Sequence, residues 1–113
     1  MDMVNQRQDI PQGTLDMLIL KVLSRKGTLH GFEIASQIQS VSHDVLQVEE
    51  GSLYPALQRM LLKGWLTTEW AKTAENRRAR YYSITPEGGQ RLDQELARYG
   101  KVSTAIGRIL QLV

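Results

Sequence analysis

The stretch GSLYPALQRMLLKGWLTTEWAKTAENRRARYYSIT, from Gly51 to Thr85, changes its pattern of apolar residues at Gly64. Before Gly64, apolar residues recur three and four positions apart, which predicts a helix with a buried stripe of Leu53, Leu57, Met60 and Leu61. After it, residues 65–72 and 80–85 alternate in polarity and are rich in aromatic and β-branched residues. The stretch is therefore predicted to be a helix followed by a β-hairpin with a long loop, TAENRRA.

Two more helices are predicted before this stretch. Residues 13–27 carry an apolar stripe at helical spacing, formed by Leu15, Leu18, Ile19, Val22 and Leu23. Thr14 is the expected N-terminal cap, and Lys26 with Gly27 is expected to end the helix. Residues 29–40 predict a shorter helix with Ile34, Ala35 and Ile38 facing inward.

The last predicted helix follows the hairpin. Thr85 suits a cap and Pro86 suits the first helical position. Further along, steps of four and three residues make a heptad seam, formed by Leu92, Leu96, Tyr99, Ser103, Ile106, Leu110 and Val113. A helix of this length extends beyond so small a domain, so we expect the seam to meet a second copy of the chain. The alternative is that the helix folds back on its own core, with a bend at Gly100.

The order helix, helix, helix, hairpin, helix defines the expected fold class. It is mainly α with a small β-hairpin, a winged helix-turn-helix domain plus a C-terminal dimerisation helix. The chain divides into a flexible N-terminus at residues 1–9, a DNA-binding domain at 10–85 and a dimerisation helix at 86–113. A two-fold dimer would present two reading helices to a palindromic DNA site.

Charge is placed unevenly along the chain. The 113 residues carry a net charge of only +2. Residues 51–82, however, hold six basic and two acidic side chains, a balance of +4, whereas residues 1–50 hold four basic and seven acidic ones. The basic segment coincides with the third helix and the hairpin, which favours a polyanionic partner, double-stranded DNA, on that side.

The candidate DNA-binding residues lie in three places: the start of helix 2, the outward face of helix 3 and the hairpin. They are His30, Gly31, Ser52, Tyr54, Pro55, Gln58, Arg59, Lys63, Asn76, Arg77, Arg78 and Arg80. Arginine can read guanine and glutamine can read adenine. Hydroxyls and the free N–H groups of the helix start suit phosphates, and we expect Pro55 in the first turn, where its missing N–H costs nothing. His30 could instead serve as a cap, and each of these residues could equally belong to a solvated face.

Other function classes find little support in the sequence. Without cysteine there are no disulfides or thiolate sites, and the two histidines have no partners for a metal site. No catalytic set or phosphate-binding glycine loop is present, so we expect no enzyme and no cofactor. No apolar run suggests a membrane span and no signal peptide is visible, which favours a cytoplasmic protein.

Several motifs together resemble the PadR family of bacterial transcriptional regulators: GTLDMLIL, HGFEIA, GSLYPALQRM, KGWL and RYYSITPEGGQRL. The resemblance implies a homodimeric winged helix that binds operator DNA, usually as a repressor, and a short subgroup with a single C-terminal helix. It also implies dimerisation through that helix. Phe32 stands where tyrosine is commoner, and Leu61 stands where an acidic residue is frequent.

Two alternatives remain open from the sequence. The first is a winged-helix module that binds proteins and never touches DNA, since fold does not fix function. The second is a sensor for a small-molecule effector, with a pocket at the dimer interface lined by aromatic residues such as Trp65 or Tyr99. The operator, the regulated genes and the identity of an effector are not encoded in a recognisable pattern.

Overall fold

The computed structural model describes residues 8–11 and 13–112. The helices are α1 (Leu15–Lys26), α2 (Gly31–Val41), α3 (Glu50–Leu62) and α4 (Pro86–Leu110). The strands are β1 (Gln8–Asp9), β2 (Leu29–His30), β3 (Leu46–Gln47), β4 (Leu66–Lys72) and β5 (Arg78–Ile84). This is the expected fold class: four helices with a small antiparallel sheet, in a winged-helix arrangement.

The sheet has three strands in the order β2–β5–β4, all antiparallel. Leu66 pairs with Ile84 at the base of the hairpin, and Lys72 pairs with Arg78 near its tip. β2 joins the other edge of β5, so the residues that precede α2 lie beside the hairpin. A second, two-residue parallel pair joins β1 to β3.

The core fills the space between the helices and the base of the hairpin. Its fully buried side chains come from α1, α2 and α3: Ile19, Leu20, Leu23, Ile34, Leu53, Leu57 and Met60. Tyr82 closes the core from β5, and its neighbour Tyr81 is more exposed because successive residues of a strand face opposite sides. This core holds α3 by one stripe and leaves its opposite face to solvent.

The caps explain where the helices begin. His30 caps α2 because its Nδ1 accepts a hydrogen bond from the Glu33 N–H, while the Glu33 carboxylate accepts one from the His30 N–H. The Thr85 hydroxyl caps α4 in the same way, with Pro86 in the first turn. Thr14 occupies the N-cap position of α1 as predicted, but its hydroxyl donates to the Pro11 carbonyl and makes no capping hydrogen bond.

The start of α3 differs from the prediction. The helix begins at Glu50, so Pro55 is its sixth residue and lies beyond the first turn. A proline there cannot donate the hydrogen bond that the Gly51 carbonyl would otherwise accept. Our expectation that Pro55 breaks no helical hydrogen bond is therefore wrong. Gly64 ends the segment with φ +78, a left-handed value that favours glycine.

The hairpin loop is shorter than predicted. Arg78 and Ala79 extend β5, which leaves a five-residue loop at 73–77 instead of seven. The Thr73 hydroxyl accepts hydrogen bonds from the backbone N–H groups of Glu75 and Arg77, and Asn76 adopts a left-handed φ of 65°. These bonds fix the loop, so the arginines that follow it start from a defined backbone.

The last helix runs from Pro86 to Leu110, and Gly100 does not interrupt it. Leu92, the first residue of the predicted dimer seam, is only 4% exposed and belongs to the core of its own domain. The exposed part of the seam therefore begins at Leu96, and Val113 lies outside the described residues. Of the predicted flexible N-terminus, residues 8 and 9 form β1, and residues 1–7 lie outside the described part.

Among residues 8–11 and 13–112, no helix combines the length and apolar character needed to cross a membrane.

Candidate nucleic-acid interface

The outward face of α3 is exposed along its whole length. Its exposed side chains are Ser52, Tyr54, Pro55, Gln58, Arg59, Leu62 and Lys63. Leu62, which the sequence reading missed, is 81% exposed and lies one turn beyond Gln58. Its position nine residues after Leu53 places it on the opposite side of the helix, and that angle was the available signal. An exposed leucine there can contact a thymine methyl group.

The N-terminus of α3 is acidic. Glu49 occupies the cap position without a side-chain cap bond, and Glu50 lies in the first turn. Two carboxylates favour the positive end of the helix dipole. They also repel a phosphate, so the expectation that the free N–H groups of this helix start suit phosphates is not supported. The basic residues Arg59 and Lys63 lie near the opposite end of the helix.

Arg59 is held by an ion pair with Asp16 of α1. Both side chains are partly exposed, so this pair is worth at most about 1 kcal/mol. A guanine or a phosphate can therefore compete for the guanidinium. The pair directs the Arg59 guanidinium toward α1.

Tyr54 packs against the start of α2. A Cβ built on Gly31 would lie 2.7 Å from the Tyr54 hydroxyl oxygen, so only glycine leaves room for the ring at this place. Desolvation by burial, with smaller contributions from Glu50 and Tyr82, raises the pKa of Tyr54 above 10.0. The ring is still 46% exposed, so its outer edge remains open to a ligand. Gly31 itself is buried and acts by admitting the ring.

His30 is placed between α2 and the hairpin. Its ring lies 5.2 Å from the Tyr81 ring in an edge-to-face arrangement. Because Nδ1 accepts the capping hydrogen bond, the neutral ring carries its proton on Nε2. Phe32, one residue beyond Gly31, is exposed beside it. The cap predicted as one role for His30 is thus present.

On one face of the hairpin, two arginine side chains lie against two aromatic rings. We call this cluster the wing stack: Trp70, Arg78, Arg80 and Tyr82. The Arg78 guanidinium lies 4.6 Å from the Trp70 ring centre, and that of Arg80 lies 5.8 Å from it. Arg80 also lies 5.9 Å from the Tyr82 ring. Such cation–π contacts hold guanidinium planes in place at about 0.5–2 kcal/mol each.

The Arg80 Nε is the one polar side-chain atom that, among the described residues, is buried without a hydrogen-bond partner. No carboxylate of the described residues forms a salt bridge with Arg77, Arg78 or Arg80. The hairpin therefore carries positive charge that the described part of the chain leaves uncompensated. That state suits a polyanion.

The structure brings some predicted residues together and leaves others apart. His30, Gly31 and Tyr54 meet where α2 and α3 adjoin the hairpin. Asn76 and Arg77 lie in the loop at the hairpin tip. Lys63 lies at the other end of α3, where its Nζ is 5.2 Å from the Trp65 ring. Trp65 also contacts Arg91, so it packs at the base of the hairpin.

A second surface is formed by α4. Its exposed apolar side chains follow one face of the helix: Leu96, Tyr99, Val102, Ile106, Ile109 and Leu110. Tyr99, Val102 and Ile106 also border a cleft of about 290 Å³ against Gly13, Thr14 and Met17 at the start of α1. Ser103 lies among them and donates to the Gly100 carbonyl, which satisfies its hydroxyl within the helix. No group of three His, Cys, Asp or Glu in the described residues is arranged to hold a metal ion.

Comparison with known proteins agrees with this arrangement. The model of the transcriptional regulator PadR-like family matches residues 19–94. A transcriptional regulator from Clostridium thermocellum is 27% identical, with a TM-score of 0.77 over 85% of this chain and 92% of that one. A PadR-like transcriptional regulator from Bacillus cereus is 28% identical, with a TM-score of 0.74 over 88% and 93%.

A PadR family transcription regulator from Clostridium difficile R20291 is also 28% identical, with a TM-score of 0.73 over 87% of this chain and 99% of that one. The matched region spans α1 to α4 and includes the outward face of α3 and the wing stack. The chain therefore belongs to the PadR-like family of transcriptional regulators, which are DNA-binding proteins.

Proposed function

We propose that this protein is a repressor that binds a palindromic operator as a homodimer. In this proposal α3 enters the major groove with Ser52, Pro55, Gln58, Arg59 and Leu62, and the hairpin lies against the flanking backbone or minor groove. His30 and Tyr54 contact the backbone where α2 meets α3. Arg77, Arg78 and Arg80 supply the phosphate or minor-groove contacts.

The observation that carries the DNA-binding mode is the wing stack beside the exposed face of α3. The arginines are positioned by Trp70 and Tyr82 and have no carboxylate partner among the described residues. Phosphate groups satisfy both their charge and their planar donor geometry.

The apolar face of α4 supports the homodimer. Six large apolar side chains are exposed there at heptad-like spacing: Leu96, Tyr99, Val102, Ile106, Ile109 and Leu110. A second copy with the same face would cover them. Two-fold symmetry then places two α3 helices on half-sites separated by about 34 Å, or one turn of DNA.

The test is binding to duplex DNA that carries the promoter of the protein's own gene or of a neighbouring gene. Fluorescence anisotropy should show affinity for one promoter at least about 1,000-fold above random DNA at physiological salt. Each phosphate contact should add about 0.9 to the slope of log affinity against log salt. Equal binding to promoter and random DNA contradicts the proposal.

Matched variants separate the hairpin from overall charge. Arg77→Ala with Arg78→Ala should lower promoter affinity and reduce the salt slope by about 2, because two phosphate contacts are lost. Lys101→Gln with Arg108→Gln removes the same charge from exposed positions on α4 and should change neither. A reporter fused to the bound promoter distinguishes a repressor from an activator. Deleting the gene that encodes this protein should raise reporter transcription if the protein is a repressor.

One observation supports a second role as a ligand sensor. The cleft between the start of α1 and α4 places the half-exposed Tyr99 ring next to Met17 and Ile106, beside the proposed dimer seam. An aromatic ligand would fit such a wall. A thermal-shift screen in which Tyr99→Ala abolishes the stabilisation by a hit would support this role, whereas a hit unaffected by the variant would contradict it.

A further inference from the structure

A groove outside the two surfaces described above has an apolar floor. It lies between α1 and α2 and is closed at one end by β3, with a volume of about 280 Å³. Its floor consists of Leu18, Val22, Ile38, Val41 and Leu46. Val41, the last residue of α2, is 62% exposed there. This volume is slightly below the range of about 300–1,000 Å³ that is usual for ligand pockets, so the groove suits a small ligand.

Cations line one side of this groove. Lys21, Arg25 and Lys26 contribute to its wall, together with the uncharged Gln37 and Ser42. None of the three cations forms a salt bridge with a carboxylate among the described residues. Arg25 and Lys26 favour the negative end of the α1 dipole, but that role accounts neither for Lys21 nor for the apolar floor.

The charge of the groove decides between occupants. One candidate occupant is the exposed apolar end of α4 from a second copy of the chain. Residues 96–112, however, contain three cations, Arg98, Lys101 and Arg108, and no carboxylate. That segment would bring positive charge to a positive wall. An occupant with an apolar body and an anionic head complements both parts of the groove.

We propose that this groove is an effector site for a small amphipathic anion, such as a carboxylate with an alkyl or aryl body. The body lies on Val22, Ile38 and Leu46, and the anionic head pairs with Lys21 and Arg25. This site is separate from the face of α3 and from the cleft beside Tyr99.

The position of β3 connects the groove to α3. The Leu46 N–H donates to the Ser42 hydroxyl, and both residues line the groove. Only Gln47 and Val48 separate Leu46 from Glu49, the cap of α3. A ligand that displaces Leu46 therefore acts on the segment that sets where α3 begins. The effector role rests on the proposed DNA binding, whereas ligand binding itself does not.

Three probes with the same alkyl chain test the proposal: octanoate, octanol and octylammonium. Methyl NMR of the full chain should show saturable shifts at Val22, Ile38 and Leu46 on addition of octanoate. Octanoate should bind at least ten times more tightly than octanol, and octylammonium should bind most weakly. Saturating octanoate should also change the affinity for promoter DNA at least threefold.

Charge variants supply the control. Lys21→Gln with Arg25→Gln, both at exposed positions, should weaken octanoate binding at least fivefold and leave octanol binding unchanged. Lys101→Gln with Arg108→Gln should leave both unchanged. Equal affinity for octanoate and octanol, absence of saturable binding, or shifts centred on Tyr99 and Ile106 would overturn the site. Unchanged DNA affinity at saturation would overturn the effector role, and failure to bind any promoter would leave the NMR result standing.

Discussion

Gly88 and Gly89 are neighbours in the first turns of α4, and only Gly89 has room for a side chain. A Cβ on Gly88 would overlap the backbone oxygen of Trp65 and lie 2.8 Å from Ile84 Cγ1, whereas a Cβ on Gly89 meets nothing within 4 Å. The backbone of Trp65 cannot move aside without disturbing the base of the hairpin. The glycine at 88 is thus required by close approach between α4 and the start of β4.

We expect Gly88→Ala to lower the free energy of unfolding by about 1–3 kcal/mol or more, because overpacking against backbone is not easily relieved. Gly89→Ala should raise it by about 0.5–1 kcal/mol, since alanine is the better helix former. Urea unfolding of both variants at one protomer concentration measures the difference. Equal stabilities would show that α4 can shift away from Trp65.

From the raised pKa of Tyr54 we predict that folding stability decreases at alkaline pH. Desolvation, then Glu50 and Tyr82, raise the pKa of Tyr54 in the folded protein above 10.0. Below pH 10 the hydroxyl is protonated in both states, so stability is unaffected. Above pH 10 the unfolded chain releases the proton first, so folding stability falls as pH rises. The melting temperature of wild type should therefore fall more between pH 9 and 11 than that of Tyr54→Phe, and parallel curves would contradict this.

At the scale of elements, the hairpin shows how packing prepares a charged surface. Trp70 is 56% exposed, yet its ring contacts the guanidinium groups of both Arg78 and Arg80. We assign Trp70 a positioning role: it orders the two arginines before they meet DNA. Without Trp70, the two arginines would have to become ordered when they bind DNA, and this ordering costs side-chain entropy.

Trp70→Ala should lower promoter affinity about 2- to 30-fold, which corresponds to cation–π energies of about 0.5–2 kcal/mol. Trp70→Phe should restore part of the loss, because the aromatic face remains. Arg78→Ala should cost less in the Trp70→Ala background than in wild type. Additive losses in this double-mutant cycle would mean that Trp70 contacts DNA by itself and does not act through Arg78.

The elements themselves were largely predictable from the sequence, and their ends were not. Periodicity located all four helices and the hairpin because each buries one continuous face. The start of α3 was missed because Glu49 caps it through backbone geometry alone, without a side-chain bond that a motif would reveal. The two-residue strands depend on partners far along the chain, as when Gln8 pairs with Leu46. The wing stack was missed because spacing along β5 does not indicate that Trp70 lies across from Arg80.

For the whole molecule, the sequence could not separate apolar residues of the domain core from apolar residues of the exposed surface. Leu92 and Leu96 are four residues apart in one heptad seam, yet Leu92 is buried under its own domain and Leu96 is exposed. The seam is continuous because one helix carries both the buried and the exposed part of it. Its first turns close the core, and its later turns run beside the start of α1 with an exposed apolar face. Heptad spacing indicates an apolar face on the helix, but it does not indicate whether the same chain or a partner covers that face.

The last prediction concerns the proposed dimer interface on α4. Ile109 is 79% exposed on the apolar face of α4 and does not border the cleft against α1, so replacing it leaves the packing within one chain intact. Ile109→Glu buries a carboxylate in the proposed interface and should shift the protein from twice 12.8 kDa to 12.8 kDa at micromolar concentration. Thr104→Glu adds the same charge on the opposite face of α4 and should remain dimeric.

Sedimentation equilibrium of wild type and both variants measures these masses, and circular dichroism verifies that each is folded. Because a monomer places a single α3 on DNA, Ile109→Glu should lose much more affinity for the full palindrome than for one half-site. Thr104→Glu should retain both affinities. A folded Ile109→Glu protein that stays dimeric would show that the two copies meet elsewhere, and the face of α4 would then need another occupant.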